Sequence, residues 1–201
     1  MAKREEQKIE THKKILSAAV HLISERGVNK TSIKDIANRA GVAVGTFYLY
    51  FNSKEDVIKC LDRDMHKKLL EKIEAMKNLS HIQKIYEYIS EWYKICEAEN
   101  PGIIREWHCL NISSASDDNP NTLPGGEIEH SHVRELLKEA VEAGELDKNM
   151  PLEDIARMLV CGMWGTSIYL CTAPNRKSRK KISGDFLEYV VKPILNPYLV
   201  K

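Results

Sequence analysis

Ala37 and Gly41 stand four residues apart in the stretch Thr31–Phe51 (TSIKDIANRAGVAVGTFYLYF), and this spacing limits the fold more than any other feature of the chain. Two short helical runs separated by so few residues must cross closely. A small side chain at 37 lets the backbones approach, and a glycine at 41 is free to take the left-handed turn that ends the first run. Ile33, Ile36, Val42 and Phe47 supply apolar contacts that fix the crossing angle. This is the chemistry of a helix-turn-helix, whose second helix enters the major groove of duplex DNA. A helical hairpin inside any bundle has the same Ala-x-x-x-Gly spacing, so the pattern by itself leaves both readings open.

The surroundings are helical almost throughout. Ile9, Lys13, Leu16, Ala19, Val20 and Ile23 follow the three-to-four spacing of an amphipathic helix that Gly27 stops. Ser32 with Asp35 forms a capping-box pattern for the next helix, and Ser53 caps a fourth with Glu55 and Asp56 in its first turn. Further helices are expected from about Ser80 to Glu97, Ile103 to Ser114, Glu127 to Ala143, from near Pro151, and from Ser183 to Leu199, where Pro193 kinks or divides the last. The run 115–126 reads as a loop. No alternating apolar run and no Asn-Gly hairpin signal marks a strand. The expected fold is all-α: a three-helix head over 1–54 and a helical bundle over 55–201, about nine helices in total.

Charge divides the chain at the same place. Residues 1–54 hold ten Lys and Arg against five Asp and Glu, so the whole-chain charge of +1 leaves −4 for the remainder. A basic head on an acidic body suits a polyanion partner. The charged N-terminus lacks the apolar core of a signal peptide, and the cysteines at 60, 96, 109, 161 and 171 form no CxxC pair. Both features point to reduced thiols in the cytoplasm. The uncharged run Met158–Ala173 is shorter than the ~20 residues a membrane span needs and is expected to be a buried helix.

Beyond Gly41, Thr46, Tyr48, Tyr50 and Lys54 crowd into and just past a short helix that also exposes Gly45. A solvated face favours Glu, Lys and Gln. Hydroxyls and a lysine are instead donors to phosphate oxygens, and glycine near a helix start leaves backbone N–H groups open to an anion. The segment TSIKDIANRAGVAVGTFYLYFNSKEDV resembles the DNA-binding part of TetR-type regulators, including Gly-Thr-aromatic-Tyr and Phe-x-Ser-Lys-Glu; the close match covers about Ile15–Ile58. Glu142–Leu146 (EAGEL) adds a weaker likeness in the body. The resemblance implies a homodimer with DNA-binding heads on an effector-binding, dimerising body. It implies phosphate contacts by Thr46, Tyr48 and Lys54, base or sugar contacts by Val44, Gly45 and Leu49, and support from Ser32 and Lys34, with Tyr50 in the same constellation. Ala43 departs from the Ser or Thr common in the family, so the third helix has no side-chain cap. That helix also lacks an arginine, which removes bidentate guanine readout there.

The eighth helix carries Leu152, Ile155, Ala156, Leu159, Val160, Met163 and Trp164 on a broad stripe, with Gly162 and Gly165 positioned to admit a close neighbour. The resemblance places dimerisation on the last two helices. Trp92, Tyr93, Cys96, Trp107, His108, Cys109, Trp164 and Tyr169 are the candidate lining of a pocket for a small apolar or aromatic effector, with plain core packing as the alternative for each. Glu91 or Glu106 is a candidate counter-charge for a cationic ligand. His108-Cys109 and His130-x-His132 lack zinc-site spacing, and no nucleophile elbow, P-loop or dinucleotide fingerprint occurs. No metal, cofactor or catalytic residue is expected. The reading is a one-component regulator, a repressor that binds a palindromic DNA operator as a homodimer and is released by an effector. A thiol-responsive regulator using Cys96, Cys109, Cys161 or Cys171 is the alternative, and a helical enzyme or metal-binding protein stands further behind.

Overall fold

The computed structural model describes residues 2–98, 101–113, 126–172 and 176–200, so most of the expected loop at 115–126 lies outside the described residues. The fold is all-α. Helices run α1 (Ala2–Arg26), α2 (Ile33–Ala40), α3 (Val44–Tyr48), α4 (Lys54–Glu74), α5 (His81–Ala98), α6 (Pro101–Ser113), α7 (Glu127–Glu142), α8 (Leu152–Leu170) and α9 (Arg176–Phe186). The last continues through a π turn at Leu187–Val191 into the short α10 (Lys192–Leu195). Among the described residues no strand forms, and one isolated bridge joins Leu146 to Leu199.

The head is built on α1, which buries Ile15, Ala18, Ala19, Leu22 and Ile23 at helical spacing. The helix starts well before Ile9, the first residue of its apolar stripe. Its first turns carry Lys8–Glu5 and Lys14–Glu10 pairs three and four residues apart, the separation that puts opposite charges side by side on a helix. The capping box of α2 closes in both directions: Ser32 Oγ accepts from the Asp35 N–H at 3.1 Å, and Asp35 accepts from the Ser32 N–H at 3.2 Å. Gly41 then adopts φ 69°, and the Val42 N–H reaches the Ala37 carbonyl at 3.0 Å. An L side chain is disfavoured at that φ, which accounts for the glycine without any close neighbour. Helix α3 ends at Tyr48, and fully buried Phe47 pins it.

Helix α4 leaves the head and enters the body, where α5, α7, α8 and the C-terminal run surround a core of Tyr88, Trp92, Leu137, Leu159, Met163 and Val191. The Glu142–Leu146 motif acts here. The Glu145 carboxylate accepts from the backbone N–H groups of His81 (3.0 Å) and Ile82 (2.9 Å) and lies 2.9 Å from the His81 ring. It therefore caps α5 with an ionised side chain, and although burial pushes its pKa up, these bonds outweigh burial and hold it at about 2. Of the two α8 glycines, only Gly162 faces a close neighbour: a Cβ there would stand 2.8 Å from the Phe186 ring, whereas Gly165 is open. The C-terminal helix begins at Arg176 rather than Ser183, and its interruption has a cause. A proline ring at 193 clashes with the carbonyl four residues earlier in an α-helix, and that residue, Tyr189, lies within the π turn.

Candidate nucleic-acid interface and internal cavity

The turn after α2 presents one side of α3 to solvent. Val44 and Gly45 are exposed, Thr46 is half-buried, Tyr48 is 54% exposed and Leu49 is 80% exposed. An exposed leucine and valine beside a tyrosine on a five-residue helix make an unusual solvent face, and the neighbouring Lys34 is exposed beside them. Ala43 occupies the N-cap and makes no side-chain hydrogen bond. Three expected contact residues are placed otherwise than the sequence suggested. The Ser32 hydroxyl is committed to α2, donating to Asp35 Oδ2 at 2.8 Å. Tyr50 turns onto α1, its half-buried ring meeting His12 edge-on at 6.1 Å. The Lys54 ammonium donates to the Val28 carbonyl at 2.6 Å and the Thr31 carbonyl at 3.1 Å. Lys54 thus ties the start of α4 to the loop before α2, and an ammonium with two donors so used keeps a third for an outside acceptor.

Inside the body lies a cavity of about 60 Å³ walled by Ile58, Leu61, Asp62 and Met65 of α4, Trp92 and Cys96 of α5, and Ile103, Ile104 and Trp107 of α6. Three of the eight expected lining residues, Trp92, Cys96 and Trp107, belong to it. Tyr93 is core instead, packed edge-on against Trp92 and Phe186 with its hydroxyl 3.4 Å from the Met163 carbonyl. His108 and Trp164 form an aromatic cluster behind Trp107, with ring centroids 4.7 and 4.8 Å from it. Burial pushes the His108 pKa down to about 4, so the ring is neutral at physiological pH. Ser167 Oγ donates to the Trp164 carbonyl at 3.0 Å, which leaves it to accept from His108 Nε2 at 2.6 Å. Cys109 is exposed and Tyr169 is 62% exposed, so neither is a wall residue: both lie on the outward side of their helices. Glu91 pairs with Lys72 (2.6 Å) and Lys94 (2.7 Å), away from the cavity, and Glu106 abuts Gly27 of the head.

The α4 contribution was missed in the sequence, although Ile58, Leu61, Asp62 and Met65 carry the spacing of one helix face. A buried polar cluster beside it was also missed. His66 of α4 lies 3.2 Å from Asp62 and 3.3 Å from Glu129 of α7; His66 is 3% exposed and Glu129 fully buried. Burial pushes the His66 pKa down, but bonding to the two carboxylates outweighs it and raises the ring to about 9. His132 sits next to it, 5.8 Å between centroids, and 3.2 Å from the Tyr88 hydroxyl; burial and the neighbouring His66 charge push His132 down to about 4. Among the described residues no group of His, Cys, Asp and Glu is placed to hold a metal ion, and no helix is long and apolar enough to cross a membrane. The thiol alternative finds no support: of its four cysteines Cys96 is buried, Cys161 and Cys171 are half-buried, and Cys109 alone is exposed.

Residues 15–60 match the family of bacterial regulatory proteins known as the tetR family. The HTH-type transcriptional regulator YvdT of Bacillus subtilis, itself uncharacterized, is 46% identical over 64 residues, a match spanning 32% of this chain and 33% of YvdT. The fatty acid metabolism regulator protein of the same organism is 25% identical over 194 residues, 94% of this chain and 98% of that one. A solved structure described as the molecular basis for control of antibiotic production by bacterial hormones superposes with a TM-score of 0.75 at 21% identity, covering 96% of this chain and 99% of that chain. The matched segment, residues 15–60, takes in most of α1, all of α2 and the exposed α3, and the start of α4, and it is this part of the chain that is similar to the tetR family of bacterial regulatory proteins.

Proposed function

We propose that the chain is a cytoplasmic, dimeric transcriptional regulator, a binding protein rather than an enzyme, that represses from a palindromic DNA operator and is released by a small apolar effector. Residues 1–54 form the DNA-binding head and 55–201 the effector-binding and dimerising body. Val44, Gly45, Thr46, Tyr48 and Leu49 meet the groove and its phosphates, with Lys34 and the free donor of Lys54 alongside. The observation that carries the reading is the dual position of α4: it begins just after the α3 turn, and its next turns wall the cavity. A drug-sized ligand occupies roughly 300 Å³ or more, several times the present space. Filling the cavity therefore displaces α4 from α5 and α6, and the head moves with it. A ligand that prefers this expanded state over the DNA-bound one acts as an inducer.

Dimerisation uses the outward side of α8 and the C-terminal helix, where Met158, Ile168, Tyr169 and Tyr189 are exposed and Gly165 is open. Such a cluster of apolar side chains is a partner surface, and one short recognition helix reads too few bases to act alone. The substitution Tyr169→Asp places a charge on this surface without touching the core. It is expected to convert the protein to a monomer in sedimentation and to weaken binding to a two-half-site duplex by about 100-fold or more, since both heads no longer bind together. A variant that stays dimeric with unchanged affinity contradicts this interface.

A further inference from the structure

Two hydrogen-bond donors in the cavity wall have no acceptor. Trp92 is fully buried and Trp107 nearly so, and the indole Nε1 of each is without a partner. Buried donors in folded proteins are normally paired, because desolvation is otherwise uncompensated. Most of the wall around them is aliphatic. The charged side chain in it, Asp62, places Oδ1 3.2 Å from His66 Nε2, and Glu129 Oε1 lies 3.3 Å from the same nitrogen. Two carboxylates against one imidazolium leave a surplus negative charge beside an apolar space, where charges interact strongly.

We infer that the cavity takes an uncharged, largely hydrocarbon molecule whose carbonyl or hydroxyl oxygen accepts from Trp92 and Trp107, and that the Asp62–His66–Glu129 group turns carboxylates away. The two indoles come from different helices, α5 and α6, so a bound oxygen also bridges the two walls that face α4. This inference deepens the effector-cavity reading and rests on it.

The test compares octane, octanone, octanol and octanoate, one chain length with four head groups, on the full-length protein at neutral pH, with binding measured by equilibrium dialysis. Octanone and octanol are expected to bind about 10-fold or more tightly than octane, and octanoate most weakly. Trp92→Phe and Trp107→Phe keep an aromatic ring but remove the donor; each is expected to cut the preference for octanone over octane by about 10-fold. Asp62→Asn is expected to improve octanoate binding. Octanoate binding as tightly as octanone, or octanone unaffected by both Trp→Phe changes, overturns the polar assignment and leaves an apolar cavity standing. Binding of none of the four overturns the assignment and the effector cavity together.

Discussion

Gly45→Glu is expected to leave the protein folded and to abolish DNA binding, with affinity for any duplex falling by 100-fold or more. The two halves of this expectation have separate grounds. A Cβ built at Gly45 meets nothing within 4 Å, so the side chain enters open space. Replacing a helical glycine contributes up to about 1 kcal/mol of helix propensity, and a carboxylate in the first turn of α3 is favoured by the helix dipole. The free protein should therefore be as stable as the parent or slightly more so. In the complex proposed above, the nucleic acid takes the same open space. A glutamate there opposes phosphates at short range, and its bulk holds α3 away from the bases. Denaturation curves and mobility shifts on the same preparation check both halves. Unchanged affinity in a folded variant contradicts the placement of α3.

His66→Ala carries the largest expected loss of stability, about 3–5 kcal/mol, because it leaves the buried carboxylates of Asp62 and Glu129 without their shared cation. His66 faces Asp62 from its own helix and Glu129 and His132 from α7, with Tyr88 of α5 beyond His132. The pH dependence has a definite sign. His66 titrates at about 9 in the fold against an ordinary 6.5. Its contribution is therefore fully present below about pH 6.5 and is lost as pH rises through 9. His108 and His132 are held at about 4, mainly by burial, so they disfavour the fold as pH falls from about 6.5 toward 4. These three groups place maximum stability near pH 6.5. Urea denaturation across this range checks it, and His66→Gln should flatten the alkaline side. Stability that climbs steadily through pH 9 contradicts the assignment.

Much of the head was legible in the sequence because its determinants are local. The Ser32–Asp35 box, the left-handed Gly41 and the Ser53 cap each act within four residues, and each appears in the fold as the chain implied. The body was legible as helices but not as a site. Helix α8 is apolar nearly all round, so its periodicity does not say whether Tyr169 or Leu170 turns inward; Leu170 does. Tyr93 and Trp92 are neighbours on α5, and only packing against Phe186 and the cavity separates their roles. The His66–Glu129 pair joins positions far apart in the chain, for which no local signal exists. Lys54 is instructive in another way: its residue type matched phosphate contact, whereas the neighbouring loop carbonyls claimed two of its donors.

The central claim is that α3, presented by α1 and α2, reads duplex DNA in pairs. Selection from a random-sequence duplex library at low ionic strength tests it directly. The account predicts enrichment of a two-fold symmetric motif with half-sites about one helical turn apart or a multiple of it. A library recovered without enrichment, or no duplex retained at any salt concentration, would contradict it.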